Sequence, residues 1–133
     1  MWQTQVPFLF RQALNFLAII CAICDDYPYL CTIMEKFELH ILGSGSALPT
    51  TRHFPTSQVV NLRDKLFMID CGEGAQLQFR KSRLKFSRLN RIFISHLHGD
   101  HCFGLLGLIS TLNLLGRTAD LHIHSPKGLE ELL

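Results

Sequence analysis

Polar and apolar residues alternate over Phe37-Glu38-Leu39-His40-Ile41-Leu42, which predicts a strand, and the run ends at the tight turn Gly43-Ser44-Gly45. Ala47 to Pro55 has two prolines and no periodicity, so it predicts a loop. Ser57–Leu62 and Lys65–Ile69 predict two strands joined by a polar turn at Arg63-Asp64. Asp70-Cys71-Gly72-Glu73-Gly74 closes the second of them. Gly74–Leu84 then predicts a helix with Leu77 and Phe79 among polar residues. Further on, Arg91–Ser95 predicts a short apolar strand and Asp100–Leu115 a buried helix. Leu121–His124 predicts a strand, and Pro126–Leu133 the start of a helix with proline in its first turn. Antiparallel strands followed by alternating strand and helix indicate an α/β fold, a mixed sheet with helices packed on it.

Residues 1–33 break from this pattern. Ala13 to Cys24 is apolar except for Asn15, and the run is too short to span a bilayer comfortably. As a secretory signal it has Arg11 ahead of the apolar run, but Ala22-Ile23-Cys24 does not put a good small residue at both cleavage positions. As an interfacial helix it lacks Lys and Arg on its polar side. Met34-Glu35-Lys36 begins a new pattern, so the expected division is an apolar extension over 1–33, not native to the domain, and a domain over 34–133. Membrane association is not expected.

Composition narrows the class only slightly. A chain of 133 residues is long enough for one domain with a core. The net charge of +2 is too small to argue for nucleic acid by itself. Five cysteines (Cys21, Cys24, Cys31, Cys71 and Cys102) are odd in number and irregular in spacing, which argues against a disulfide framework and for a reducing cytoplasm. Cys21-x-x-Cys24 has no second pair and reads as plain buried thiols.

The candidate chemistry lies in Ser95-His96-Leu97-His98-Gly99-Asp100-His101. Three histidines and an aspartate fall within six residues, after one apolar run and before another. Imidazole and carboxylate are the usual ligands of zinc and similar ions. His96 and His98, two apart on an extended segment, point to one side and suit one ion. Gly99 permits a change of direction, so Asp100 and His101 suit a second ion. Two ions about 3.5–4 Å apart form the arrangement that cleaves phosphodiesters and amides. His40, His53, His122 and His124 are scattered, and the last two share a strand face that reads as polar sheet surface. A basic stretch, Arg80, Lys81, Arg83, Lys85, Arg88 and Arg91, contains no acid. It suits either an RNA backbone or the solvated face of a helix and its loop.

The motif Ser-His-x-His-x-Asp-His after a short strand resembles the metallo-β-lactamase signature. Leu42-Gly43-Ser44-Gly45-Ser46-Ala47-Leu48-Pro49 with Arg52, and Ile69-Asp70-Cys71-Gly72-Glu73-Gly74-Ala75-Gln76, narrow the likeness to ribonuclease Z, the tRNA 3′-processing endonucleases. Gly104-Leu105-x-Gly107-Leu108 and Ser125-Pro126-Lys127-Gly128-Leu129 are similar to that family too. The resemblance runs over about residues 36–133. It implies the N-terminal half of a metallo-β-lactamase αβ/βα sandwich. It also implies two Zn²⁺ per complete site, with His96 and His98 on one ion and Asp100 and His101 on the other. Asp100 would be the general base, and Asp70 a partner of a metal-bound histidine. Apart from the resemblance, Gly43, Gly45 and Gly72 read simply as tight-turn residues, and Glu73 as an acid opening a helix.

The implied substrate is precursor tRNA, not DNA, cut by a cytoplasmic homodimer. The family uses a further His, a bridging Asp and a final His beyond Pro126. The expectation is therefore an incomplete chain, inactive alone. The alternatives are a non-catalytic fragment, or another phosphodiesterase or ester hydrolase of the superfamily.

Overall fold

Five strands form one sheet in chain order: β1 (Phe37–Gly43), β2 (Ser57–Leu62), β3 (Lys65–Ile69), β4 (Leu89–Phe93) and β5 (His122–His124). The computed structural model describes residues 37–48 and 50–133. These belong to one compact unit, Lys36–Leu133. The readings of residues 1–33, including Cys21, Cys24 and Cys31, lie outside the described residues. Among the described residues no helix is long and apolar enough to cross a membrane.

The mixed sheet follows from its connections. β1, β2 and β3 pair antiparallel, whereas β3–β4 and β4–β5 are parallel. Arg63 and Asp64 have φ of 50° and 67° and make the two-residue turn between β2 and β3. Positive φ at both positions matches the twist of the flanking strands. Parallel neighbours need crossovers, which helices provide. α1 (Ala75–Lys81) joins β3 to β4, while α2 (Gly99–Cys102) and α3 (Gly104–Leu114) join β4 to β5. A short α4 (Leu129–Leu132) follows β5. The core lies between sheet and helices, where Val59, Met68, Leu89 and Ile92 meet Phe79 of α1 and Leu105, Leu108 and Leu112 of α3.

Four element boundaries differ from the sequence pattern. α1 stops at Lys81, three residues early, because Arg83 turns left-handed at φ 58°. The amides of Arg83 and Leu84 then donate to the carbonyls of Arg80 and Phe79, which closes the helix end. β4 begins at Leu89, led in by a 3₁₀ turn over Phe86–Arg88, and Ile94 and Ser95 lie past its end. The long helix after Asp100 is two helices broken at Phe103, and it is buried on one side only, since Leu106 and Ile109 are exposed. α4 starts after Gly128, whose φ of 103° is left-handed, so Pro126 lies outside the helix.

Candidate metal centre

β3 and β4 run the same way side by side, so both deliver their following residues to one edge of the sheet. Asp70 follows β3 and donates its amide to the Phe93 carbonyl at 2.8 Å. The histidine loop leaves β4 and folds back over this point. Cys71 donates its amide to the His101 carbonyl at 2.7 Å, and Gly104 donates its amide to the Cys71 carbonyl at 2.8 Å. That last bond explains the break between α2 and α3, because Gly104 spends its amide outside the helix.

Gly72 and Gly104 lack positive φ and are needed for close contact, and Gly72 also opens a turn in which the Ala75 amide donates to its carbonyl at 3.1 Å. A Cβ on Gly104 would lie 2.0 Å from the Gly72 carbonyl oxygen, and one on Gly72 would lie 2.5 Å from that of Asp100. Side chains there would force the two loops apart. Gly43 and Gly45 likewise approach the Phe54–Pro55 backbone with no positive φ, which corrects the tight-turn reading. Glu73 lies ahead of α1 instead of in its first turn.

Asp70 organises the centre. It is 4% exposed and sits at φ 56°, a left-handed conformation that aspartate tolerates better than most residues. Its Oδ1 accepts the Ser95 amide at 2.8 Å. Its Oδ2 accepts the Ser95 hydroxyl at 2.9 Å and the Nδ1–H of His101 at 2.8 Å. With its only hydrogen given to Asp70, Ser95 Oγ accepts from Nδ1 of His96 at 3.0 Å. This network protonates both histidines on Nδ1 and leaves each Nε2 with a free lone pair. Asp70 is thus the histidine partner that the sequence suggested. Ser95 is a functional residue that the pattern did not single out, although a serine directly ahead of the first histidine was its signal.

The free lone pairs lie where ligands of an ion would lie. His96 Nε2 is 3.1 Å from His98 Nδ1, and His101 Nε2 is 3.5 Å from Asp100 Oδ2. The rings of His96 and His101 are 3.8 Å apart, so the two pairs adjoin. Two nitrogens bound to one tetrahedral zinc at about 2.0–2.1 Å sit about 3.3–3.4 Å from each other. Both pairs are near that spacing and carry suitable atoms, so the donor set fits zinc as two half-sites. Among the described residues no group of three or more His, Cys, Asp or Glu side chains is arranged to hold a metal ion. Neither pair is a complete cage by itself.

Electrostatics keeps the first histidine neutral. Burial chiefly, then the like charges of His101 and His98, hold the His96 imidazole below its usual 6.5, against the opposing pull of Asp70 and Asp100. The Cys71 thiol is pushed up to about 12 by burial, then by Asp70 and Cys102. Burial, then Asp70 and Asp100, also raise Cys102. Both thiols therefore stay protonated in the metal-free chain.

The other singled-out residues lie elsewhere. His40 sits 3.7 Å from Glu38, and His53 and His122 are exposed. His124 stacks on Phe93 with ring centres 4.8 Å apart. In the basic stretch Arg88 pairs with Asp64 at 2.9 Å and Arg91 lies 3.1 Å from His124, whereas Arg80, Lys81, Arg83 and Lys85 point to solvent.

Ribonuclease Z of Bacteroides fragilis is 91% identical over 100 residues, covering 75% of this chain and 33% of that protein. The chain belongs to the ribonuclease Z proteins. It spans about a third of the length of the curated relatives it matches. The crystal structure of human tRNase Z, short form, superposes with a TM-score of 0.66 at 40% identity, covering 71% of this chain and 37% of that one. A metallo-β-lactamase fold protein of Bacillus subtilis shares the fold with a TM-score of 0.62 at 16% identity, over 74% of this chain and 40% of that one. Residues 37–133 also match the family model described as anti-Pycsar protein Apyc1, and the chain belongs to that family. The two names differ. The 91% identity holds over 33% of the relative's length, and the family model covers residues 37–133 of this chain.

Proposed function

We propose that this chain forms part of a zinc-dependent endoribonuclease that removes the 3′ trailer from precursor tRNA. In this reading His96 and His98 hold one zinc ion, and Asp100 and His101 hold a second. When bound, the ions bring the pKa of water toward 7 and offset charge on the attacked phosphate. The chain's own residues supply orientation and proton handling. Asp70 keeps the His101 proton on Nδ1, Ser95 does the same for His96, and Asp100 takes the proton of the attacking water on a carboxylate oxygen.

The observation that carries the reading is the pair of donor separations, 3.1 and 3.5 Å, on a loop fastened to a buried aspartate. A two-ion centre takes more donors than these four. The chain alone is therefore proposed to bind zinc weakly and to cut RNA only within a complete fold. A homodimer, a cytoplasmic setting and a domain beginning near Met34 belong to the same proposal. A second reading is another phosphodiesterase of the same fold, because a two-ion donor set by itself suits any phosphodiester.

Two measurements test this. Calorimetry should give weaker zinc binding for His96→Ala/His98→Ala than for the wild type, and equal affinities would remove the metal assignment. In the complete fold with Zn²⁺, a precursor tRNA trailer should be cut, and His98→Ala should abolish the cut. Cleavage of a generic nucleotide diester without cleavage of precursor tRNA would favour the second reading.

A further inference from the structure

Phe103 is an aromatic ring kept in water beside the candidate donors. It is 59% exposed and caps the C-terminal end of α2, still in helical conformation at φ −66° and ψ −17°. Its amide donates to the Gly99 carbonyl at 2.9 Å, and its side chain stands over Gly99, four residues back on the same helix face. Each residue turns about 100° around a helix, so Phe103 lies about 60° from Asp100, while His101 and Cys102 turn to the buried side.

Gly99 stands between two of the donors, His98 and Asp100. A Cβ on Gly99 would lie 2.5 Å from Cε2 of the Phe103 ring, 2.7 Å from Cδ2 and 3.0 Å from Cζ. A point beyond the ring's edge could not approach Cε2 and both of its neighbours so closely, so a face of the ring rests on Gly99. Gly99 has no positive φ, and its backbone does not call for glycine. The ring does, because any side chain there would push it away. Glycine forgoes helix propensity, and an exposed ring gains little burial in return. Stability does not explain this seat. Among the described residues no other ring and no cation meets Phe103, so its second face is open. Phe37, also exposed, opens β1 across from Leu62, at the end of the sheet away from the donors.

We propose that the open face of Phe103 is a stacking platform for one nucleobase of the RNA strand, in the nucleotide next to the phosphate held at the metal centre. This rests on the reading of the chain as an RNA-cleaving protein. Consecutive Cα atoms are about 3.8 Å apart, so the seat at Gly99 is one such step from each of two donor residues. The phosphate and base of one nucleotide are joined through a single sugar and bridge a gap of that order. Every base has a π-face, so the contact holds the strand without reading its sequence.

The test compares two short labelled strands binding to the full chain in saturating Zn²⁺, one a single-stranded RNA and the other the same sugar–phosphate backbone without bases. Fluorescence anisotropy reads both affinities. The wild type should prefer the strand with bases by a factor of about 5 to 150, the range for one base stacked on an aromatic side chain. Phe103→Leu keeps the apolar bulk, so it should lose that preference and bind the base-free strand as the wild type does. Phe103→Tyr should keep the preference. A preference that survives Phe103→Leu, or an equal loss for both strands, would overturn the platform, as would a wild type that lacks the preference. Self-association lost in Phe103→Leu by sedimentation, with the preference intact, would overturn it in favour of a contact between copies of this chain. The cleavage reading fails separately: precursor tRNA left uncut by the complete fold, with the base preference present and lost in Phe103→Leu, would remove that reading and leave the platform.

Discussion

Replacing Asp70 by asparagine keeps the shape of the side chain and changes what it can accept. The amide oxygen still takes the Ser95 N–H, now held at 2.8 Å. The amide nitrogen replaces Oδ2, which accepts from Ser95 Oγ at 2.9 Å and from His101 Nδ1 at 2.8 Å. A donor at that position forces His101 to move its proton to Nε2, the atom facing Asp100 at 3.5 Å. Two charge-assisted hydrogen bonds are worth about 1.5–3 kcal/mol each, and re-pairing of the amide restores part of this. A loss of about 2–3 kcal/mol in folding stability is expected without metal. Zinc affinity should fall about 10–100-fold, the usual effect of losing a partner that orients a ligand. Asp70→Gly and Asp70→Ala separate side chain from backbone. Both lose the carboxylate, but glycine relieves φ 56°, so it should be less destabilising by about 1 kcal/mol. Urea denaturation in EDTA reads stability, and calorimetry reads zinc affinity. An Asp70→Asn protein with wild-type stability and wild-type zinc affinity would refute the relay from Asp70 to the histidine ring.

Two further outcomes follow from the same geometry. Gly104→Ala places a methyl 2.0 Å from the Gly72 carbonyl oxygen, so it should cost about 3 kcal/mol or more, visible as a large drop in Tm. A Tm within one or two degrees of the wild type would show that the two loops are free to separate. Stability in EDTA should also depend on pH through His96, whose imidazole titrates below its usual 6.5. The unfolded chain then binds the proton more readily than the folded one. The stabilisation is full above about pH 6.5 and is lost as pH falls through the lower folded value. His96→Gln should flatten that slope between pH 7.5 and 5, and an unchanged slope would assign it to other groups.

The local features of this protein were legible in its sequence. Alternation marked β1, the Arg63-Asp64 pair marked the hairpin, and antiparallel strands ahead of alternating strand and helix described the mixed sheet. The candidate donors His96, His98, Asp100 and His101 were visible for the same reason, since all four lie within six residues. Features that depend on distant partners were not legible. The apolar run after Asp100 has one uninterrupted pattern, and only the approach of Gly72 to Gly104 breaks it into two helices. Arg83 closes α1 early through its own dihedral angle, which no periodicity records. Asp70 lies 25 residues before Ser95 and 31 before His101 in the chain. They meet because β3 and β4 pair in parallel and bring both loops to one edge, where Ser95 becomes the link between carboxylate and imidazole. The sequence by itself determined which atoms were available to hold an ion. The parallel pairing decided which nitrogens carry protons and which keep their lone pairs.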